Sequence, residues 1–414
     1  MKPSFLRKKK CWLRFLGIVL VLPILLLTIA LSILYLKQHD LIQAEIEVLN
    51  KGYKGKIEIG ETHLKPFANF PYISIKIDDV SVLESKSSTA EKLLSVKDIY
   101  TGFNIWDIIQ GNFDIKNLMI EDGALNLVFH KDGSLNIQNA LQTNQETSDA
   151  APMDIHLKNI QLRNIDIHKL DEATKVDVET FIYYAKGGFQ TAGDLINAHI
   201  DTEFELNIVD NGDSTYIKRK HFEFHTDLSL NDKTGKLVLE PSGIRMEHGD
   251  FDIQGSIDLK NNVDLDLNIK GTKPNFDMLI AFAPSDIIPV LERYKNAGNI
   301  YFNALVKGPT LHGIMPLIDA KFGASEAYLE NTGVGKRIDD MGFEGHFTNG
   351  SKRNLQTMEF SLTGMTAKLE TGSFLGSIFV KNFEEPEVDM RLNADFNVGF
   401  LTKFLNLEGV EAAG

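Results

Sequence analysis

The sequence predicts a mainly β protein with one N-terminal transmembrane helix. Its strands are expected to form an elongated, curled antiparallel sheet, groove-like, with a few short helices. Three observations predict this. Phe15 to Leu36 is a run of 22 residues without a charged side chain. After it, apolar residues recur with a period of two through most of the chain. Between those runs stand Asp-Gly, Asn-Gly and Asn-Asn pairs, which is the chemistry of tight turns.

The apolar run comes first. At about 1.5 Å per residue it covers roughly 33 Å as a helix, enough for a hydrocarbon core. Pro23 lies inside it and is tolerated in lipid as a kink. Lys2, Arg7, Lys8, Lys9, Lys10 and Arg14 precede the run with no acidic residue among them. Arg7, Lys8, Lys9, Lys10 and Arg14 set the expected topology: N-terminus cytoplasmic, bulk of the chain across the membrane. A cleaved signal peptide is the competing reading, but its apolar core is shorter, about 7–15 residues, and ends at a small-residue site. Here the nearest such site, Ala30-Leu31-Ser32, lies within the apolar run.

Charge changes sign across this segment. The chain carries −14 in all, yet its first 14 residues carry +6, so the part from Lys37 onward has 37 basic and 57 acidic residues. That balance argues against nucleic acid, whose phosphates demand a basic surface, so none is expected. The chain has one cysteine, Cys11, on the cytoplasmic flank. Acylation occurs at such positions, although an incidental cysteine is the ordinary reading. The rest of the chain can form neither an intrachain disulfide nor a cysteine-based zinc site.

The expected organisation follows the pattern of the residues. Residues 1–14 are a basic tail, 15–36 the transmembrane helix, and 37–143 a first β block. A polar, small-residue linker at 144–154, including Asn144 to Pro152, leads to a β meander at 155–271. A helical interruption at 272–298 carries Pro284 and Pro289, and 299–414 is a second β block. Asp40 to Lys51 has helical spacing and ends at Gly52 and Gly55, and Ile105 to Gln110 reads as one helical turn. The alternating runs supply the candidate apolar lining. They are Ile73, Ile75 and Ile77; Leu125, Leu127 and Phe129; Phe204, Leu206 and Ile208; Phe251, Ile253 and Ile257; and Val263, Leu265, Leu267 and Ile269. Phe222, Phe224, Leu228 and Leu230 follow the same pattern. Turns are expected at Asp122-Gly123, Asp132-Gly133, Asn211-Gly212 and Asn261-Asn262. A faint repeat pairs Asp264 to Phe282 with Asp389 to Phe404, each a strand, a loop and an apolar helical turn. The second copy stops where its next strand should begin, so either a longer parent chain or the loss of the last strand is expected.

No catalytic constellation emerges. Gly333-Val334-Gly335-Lys336 lacks the first glycine of a phosphate loop, and Arg337 stands where Ser or Thr should hold magnesium. No Gly-x-Ser-x-Gly elbow is present. His221, Glu223 and His225 share one strand face, but a solvated face gives the same string. Asn349-Gly350-Ser351 is a formal glycosylation sequon, although Asn-Gly is also a favoured turn. No catalytic residue, metal or cofactor is expected. A long sheet with one apolar face must cover that face by closing on itself, by packing a second sheet, or by leaving a groove that something apolar fills. Periodicity leaves these alternatives open.

Several segments together carry a resemblance. They are KGYKGKIEIGETHLKPFANFPYISIKIDDVSVLE from Lys51, with Asn69-Phe70-Pro71 leading into an alternating strand, and the block from Leu93 to Leu141. That block includes Phe103 to Gly111 and the Asp122-Gly123 and Asp132-Gly133-Ser134-Leu135-Asn136 pairs. With the N-terminal helix, the helical region Asn275 to Lys295 and its echo at Asn397 to Leu405, the chain resembles the AsmA family of Gram-negative envelope proteins. The resemblance implies a single-pass inner-membrane protein with its bulk in the periplasm, akin in architecture to chorein-type bridge proteins. It implies a role in outer-membrane assembly and lipid homeostasis, with phospholipid bound along the apolar sheet and no catalytic residues. At 414 residues the chain is shorter than the members that span an envelope. Two function classes are carried forward: a lipid carrier or conduit, and an assembly factor acting on outer-membrane proteins or other envelope components by protein contacts. An exported hydrolase is the third and least supported.

Overall fold

The computed structural model describes residues 5–87, 90–142, 158–210, 212–214, 217–283, 287–310, 314–370 and 372–406. The expected linker at 144–154 and the segment after Asn406, where the repeat breaks off, lie outside them. So do Pro284 and the side chains of Arg7, Lys8, Lys9, Lys10 and Arg14. The fold is mainly β, with antiparallel strands, short helices and one long apolar N-terminal helix. The chain divides into two compact units, Met1–Leu170 with Ile182–Gly188, and Asp171–Phe181 with Phe189–Gly414. This division falls about a linker's length after the expected one.

In the first unit, α1 (Phe5–Gly52) is 48 residues long. It is long and apolar enough to cross a membrane, and at about 1.5 Å per residue it far outruns a hydrocarbon core of about 30 Å. The helix continues without a break through the segment expected as a separate Asp40 to Lys51 helix. It packs on an antiparallel sheet of β1 (Lys56–Glu58), β2 (Thr62–Asn69), β3 (Tyr72–Leu83) and β4 (Lys92–Phe103), together with α2 (Ile105–Ile109) and β5 (Ile115–Phe129). Ala30, Leu34 and Ile42 form a stripe at helical spacing and are buried with Ile73, Ile75, Ile77, Val96 and Ile108. The last turns of the apolar run therefore rest on protein, where the sequence suggested lipid contact throughout. Asn50 ties the helix to β1: its Nδ2 donates to the Ile57 carbonyl at 2.9 Å, and the Ile57 N–H donates back to its Oδ1 at 2.7 Å. Asn104 caps α2 by accepting from the Trp106 N–H at 2.8 Å.

Asp122-Gly123 is not a turn. It lies inside β5, where Asp122 has φ 54° and the pairing to β4 skips it, running from Glu121–Asp98 to Gly123–Val96. The pairing skips Lys97 opposite it as well, so no residue is inserted and the strand keeps its register on either side. The other expected turns behave as turns: Asp132-Gly133 precedes α3 (Asn136–Leu141), and Asn261-Asn262 joins two strands. Gly212 lies in a tight hairpin, and Asn211 is outside the described residues. β6 (Asn159–Asp171) meets β5 through Arg163–Glu121 at 3.1 Å and Asn164–Asp122 at 3.0 Å.

Following β7 (Val176–Ala192), the second unit is built on a meander. Its strands are β8 (Leu195–Asp210), β9 (Asp213–Ser214), β10 (Lys220–Asn231), β11 (Lys236–Met246), β12 (Gly249–Asp258) and β13 (Asp264–Lys273). The expected helical interruption shrinks to two single turns, α4 (Asp277–Ile280) and α5 (Ile288–Leu291). The meander resumes with β14 (Tyr294–Gly308), β15 (Leu317–Asn331), β16 (Lys336–Thr348), β17 (Glu359–Leu369), β18 (Gly372–Lys381) and β19 (Glu387–Asp395) before α6 (Val398–Phe404). From β10 to β19 each strand pairs antiparallel with the next. The faint repeat is real as structure, because β13 leads into α4 as β19 leads into α6. Gly333 to Lys336 spans the turn between β15 and β16.

Asn349 is fully buried in a turn. Its Nδ2 donates to the Pro316 carbonyl at 2.8 Å and its Oδ1 accepts from the Ile318 N–H at 2.9 Å. The side chain that the sequon would glycosylate is thus a structural clamp. Asn349→Ala leaves two backbone groups without partners and should destabilise the chain by about 2–3 kcal/mol. Denaturant unfolding of the variant measures this.

Candidate functional site: an apolar groove under a helical turn

The second unit encloses a partly open cavity of about 550 Å³, inside the range of roughly 300–1,000 Å³ that suits a small ligand. Eight consecutive strands wall it. β10 gives Phe222; β11 gives Ile244 and Met246; β12 gives Phe251 and β13 gives Ile269. β14 gives Phe302, Ala304 and Val306; β15 gives Ile318, Ala320 and Phe322; β16 gives Phe347 and β17 gives Phe360. Ile217 lies just before β10. Leu279 and Phe282, on and just beyond α4, complete the wall. Every one of these side chains is apolar. Residues of one parity from eight strands can surround one space only if the sheet curls, and the register shows how it does so. The pairing skips residues between Ala324 and Ala327 in β15, between Asp339 and Gly342 in β16, and between Leu362 and Met365 in β17. Left-handed residues mark each skip: Glu326 at φ 51°, Asp340 at φ 47° and Gly364 at φ 59°. Bulges aligned across neighbouring strands bend a sheet.

The floor does not stop at β17. Residues paired across strands share a face, so Phe360 continues through Val380 on β18 to Val388 on β19. Ile378 likewise continues to Met390 and Gly376 to Leu392. On β19 this row is open to solvent, with Val388, Met390 and Leu392 62, 57 and 51% exposed. At about 4.8 Å between strands, the apolar strip from β10 to β19 is roughly 43 Å long. The cavity is its covered stretch.

The cover is α4. Met278 and Ala281 are buried against the sheet, and the Phe276 N–H donates to Asn296 Oδ1 at 2.8 Å. Phe282 stacks on Phe302 with ring centroids 5.1 Å apart and meets Phe251 edge-on at 5.8 Å. Two glycines allow this approach: a Cβ on Gly271 would sit 2.2 Å from Met278 Sδ, and one on Gly249 would sit 3.0 Å from Met278 Cα.

A buried cation stands beside the cavity. Lys220 is two residues from Phe222, hence on the same face of β10, and only 1% exposed. Its Nζ donates to the Ala283 carbonyl, one residue past Phe282. Burial pushes its pKa down, and the field of Glu247 partly offsets that. Isolating an ammonium from water costs several kcal/mol unless it is paired. Among the described residues no carboxylate forms an ion pair with Lys220. Glu247 instead accepts from the His221 N–H at 3.1 Å.

The opposite parity of the same strands is polar. His221, Glu223 and His225 are each paired across strands: His221 with Glu203 at 3.5 Å, Glu223 with Arg245 at 3.3 Å and His225 with Asp201 at 2.6 Å. Asp250 takes Arg245 at 2.7 Å and Lys273 at 3.2 Å, and its carboxyl titrates below the usual range, chiefly through the Arg245 hydrogen bond.

The residues selected from the alternation are not brought to one place. Phe251 and Ile269 line the cavity. Leu267, paired with Val306, and Phe204, stacked on Phe222 at 5.1 Å, share the groove face. Ile253 pairs with Ile269, and Ile257 pairs with Leu265, itself two residues from Leu267. Val263 lies in the turn before β13, while Leu206 and Ile208 are half-buried on β8. Ile73, Ile75 and Ile77, by contrast, are buried under α1 as core, so the helix of the same chain already occupies that face. Leu125 is paired with Leu94, which packs against that core. Leu127 and Phe129 are half-buried, and Lys169 lies over the Phe129 ring at 5.1 Å. Strands β14 to β17, which supply half of the wall, hold none of the residues chosen from the alternation. Small residues such as Ala304 and Ala320 there, and the bulges, conceal the alternation.

No protein-family model matches the chain, and no curated protein matches it.

Proposed function

We propose that the chain is a non-enzymatic, membrane-anchored lipid carrier of the AsmA type. In this reading α1 holds it in the inner membrane with the N-terminus cytoplasmic. The two β units stand in the periplasm, and phospholipid lies along the groove in the service of outer-membrane assembly and lipid homeostasis. The observation that carries the reading is the wall of the cavity, which is apolar at every position and continuous with an apolar strip. Burying ten methylenes supplies about 8 kcal/mol, a micromolar affinity before the cost of ordering the chain. Such a wall selects acyl chains with no need for polar contacts.

The test compares full-length protein with Ala304→Trp and Ala320→Trp, which fill the cavity while leaving α1 and its annular lipid unchanged. Lipid retained after detergent exchange is counted by native mass spectrometry. The wild type should hold at least one more lipid than either variant. Equal counts in folded proteins would end the proposal. One observation favours the assembly-factor reading: among the described residues β19 pairs only with β18, which leaves a strand edge for addition of a partner strand. Crosslinking from β19 to a barrel protein, with no lipid in the cavity, would support it.

A further inference from the structure

We infer that the groove takes acyl lipids with an anionic head group, and that Lys220 is the residue that binds that head group at the groove's end. This rests on the groove reading above and adds to it the chemistry of the ligand.

Lys220 sits at the seam between floor and cover. On its own strand, Phe222 is the first floor residue, and Ile217 before it also lines the cavity. On the covering side its ammonium meets the carbonyl of Ala283, adjacent to the roof residue Phe282. An ammonium has three N–H donors and no acceptor capacity. The described residues supply this one with a single carbonyl. The carboxylate whose field reaches it, Glu247, is engaged by the His221 backbone. Everything else around the cavity is apolar.

A methionine or leucine at position 220 would fill the same space without isolating a charge. The lysine therefore makes physical sense with a counter-charge delivered by the ligand. An acyl chain lying over Phe222, Phe251 and Phe302 brings its head group to one end of the cavity. A carboxylate or phosphate there would take the two idle donors in charge-assisted bonds. A neutral head leaves the ammonium as it was. With no polar side chain in the wall itself, selection is by charge at the seam and not by the shape of the head group.

The experiment uses the full chain in detergent and two photoreactive probes, a diazirine-bearing palmitate and the hexadecanol analogue with the same tail. After irradiation and digestion, labelling of the peptides carrying Phe222, Phe282 and Phe302 is quantified. The wild type should label with palmitate at least tenfold more efficiently than with the alcohol, equivalent to about 1.4 kcal/mol. Lys220→Met should label equally with both, at the level of the alcohol on wild type. Equal labelling of the wild type by both probes overturns the inference and leaves the groove standing. So does a preference that survives in folded Lys220→Met or Lys220→Gln. Absence of label from those peptides with either probe overturns the groove reading itself. The wild-type comparison needs no variant, so it decides even if substitutions at 220 do not fold.

Discussion

Ile75→Asp unfolds the first unit. Ile75 is 0% exposed, paired with Leu64 and Thr101, in the cluster where Leu34 of α1 and Ile108 of α2 meet the sheet. Truncating a buried isoleucine costs about 2–5 kcal/mol through lost burial and the cavity left behind. A carboxylate in its place adds several kcal/mol of desolvation, because the described residues clustered around it are apolar. Whole domains are stable by only about 5–15 kcal/mol. Limited proteolysis of the full chain should therefore show Ile75→Asp cleaved throughout 56–129, whereas the wild type resists. The control is Leu267→Asp, a half-buried position on the groove face beside Val306. That variant should stay folded and lose lipid. A folded, lipid-free Ile75→Asp protein would instead mean that lipid, and not α1, covers that face.

The contrast between those two leucine-like positions explains how much of the molecule was legible. Period-two alternation at Ile73, Ile75 and Ile77 and at Leu265, Leu267 and Ile269 looks the same in sequence, and it correctly gives strands with one apolar face. What covers each face depends on contacts distant in sequence, which alternation does not encode. The uncharged run at 15–36 reads as a membrane helix. Nothing in it shows that Ala30 and Leu34 would rest on Ile75 and Ile108, since both surroundings favour the same residues. Bulges were illegible for a different reason. Glu326 and Asp340 adopt left-handed φ at their bulges without being glycine; likewise an Asp-Gly pair inside a strand, as at Asp122-Gly123, is indistinguishable from one in a hairpin. Each bulge also shifts the inward parity by one, so Ala320, Phe322 and Ala324 point inward at even positions and Ala327 and Leu329 at odd ones. A reader who follows alternation along β15 loses the face halfway. Lys220 could have been noticed as a cation in register with Phe222 and Phe224, but its burial comes from Ala283, 63 residues away.

Gly271→Val should lift α4 from the groove. The substituted Cβ would meet Met278 Sδ at 2.2 Å, with Met278 fully buried and flanked by Gly249 on the neighbouring strand. Neither sheet strand can yield, because β13 is paired on both sides, to β12 and β14. The helical turn is held by four residues, the Phe276–Asn296 bond and its apolar contacts, so it is the part that moves. Overpacking of this kind costs about 1–3 kcal/mol, enough to displace a single turn without unfolding a ten-strand meander. The measurement exploits the lone cysteine. In a Cys11→Ser background, Ala281→Cys places the only thiol on the buried side of the turn, at a position 1% exposed. Alkylation of that thiol should be slow with Gly271 intact and at least tenfold faster with Gly271→Val. Bound lipid should also exchange faster, because Leu279 and Phe282 leave the cavity wall together. Unchanged alkylation in a folded Gly271→Val protein would show that the turn is not held by close approach to the sheet. The roof of the groove would then be fixed by the Phe282–Phe302 stack instead.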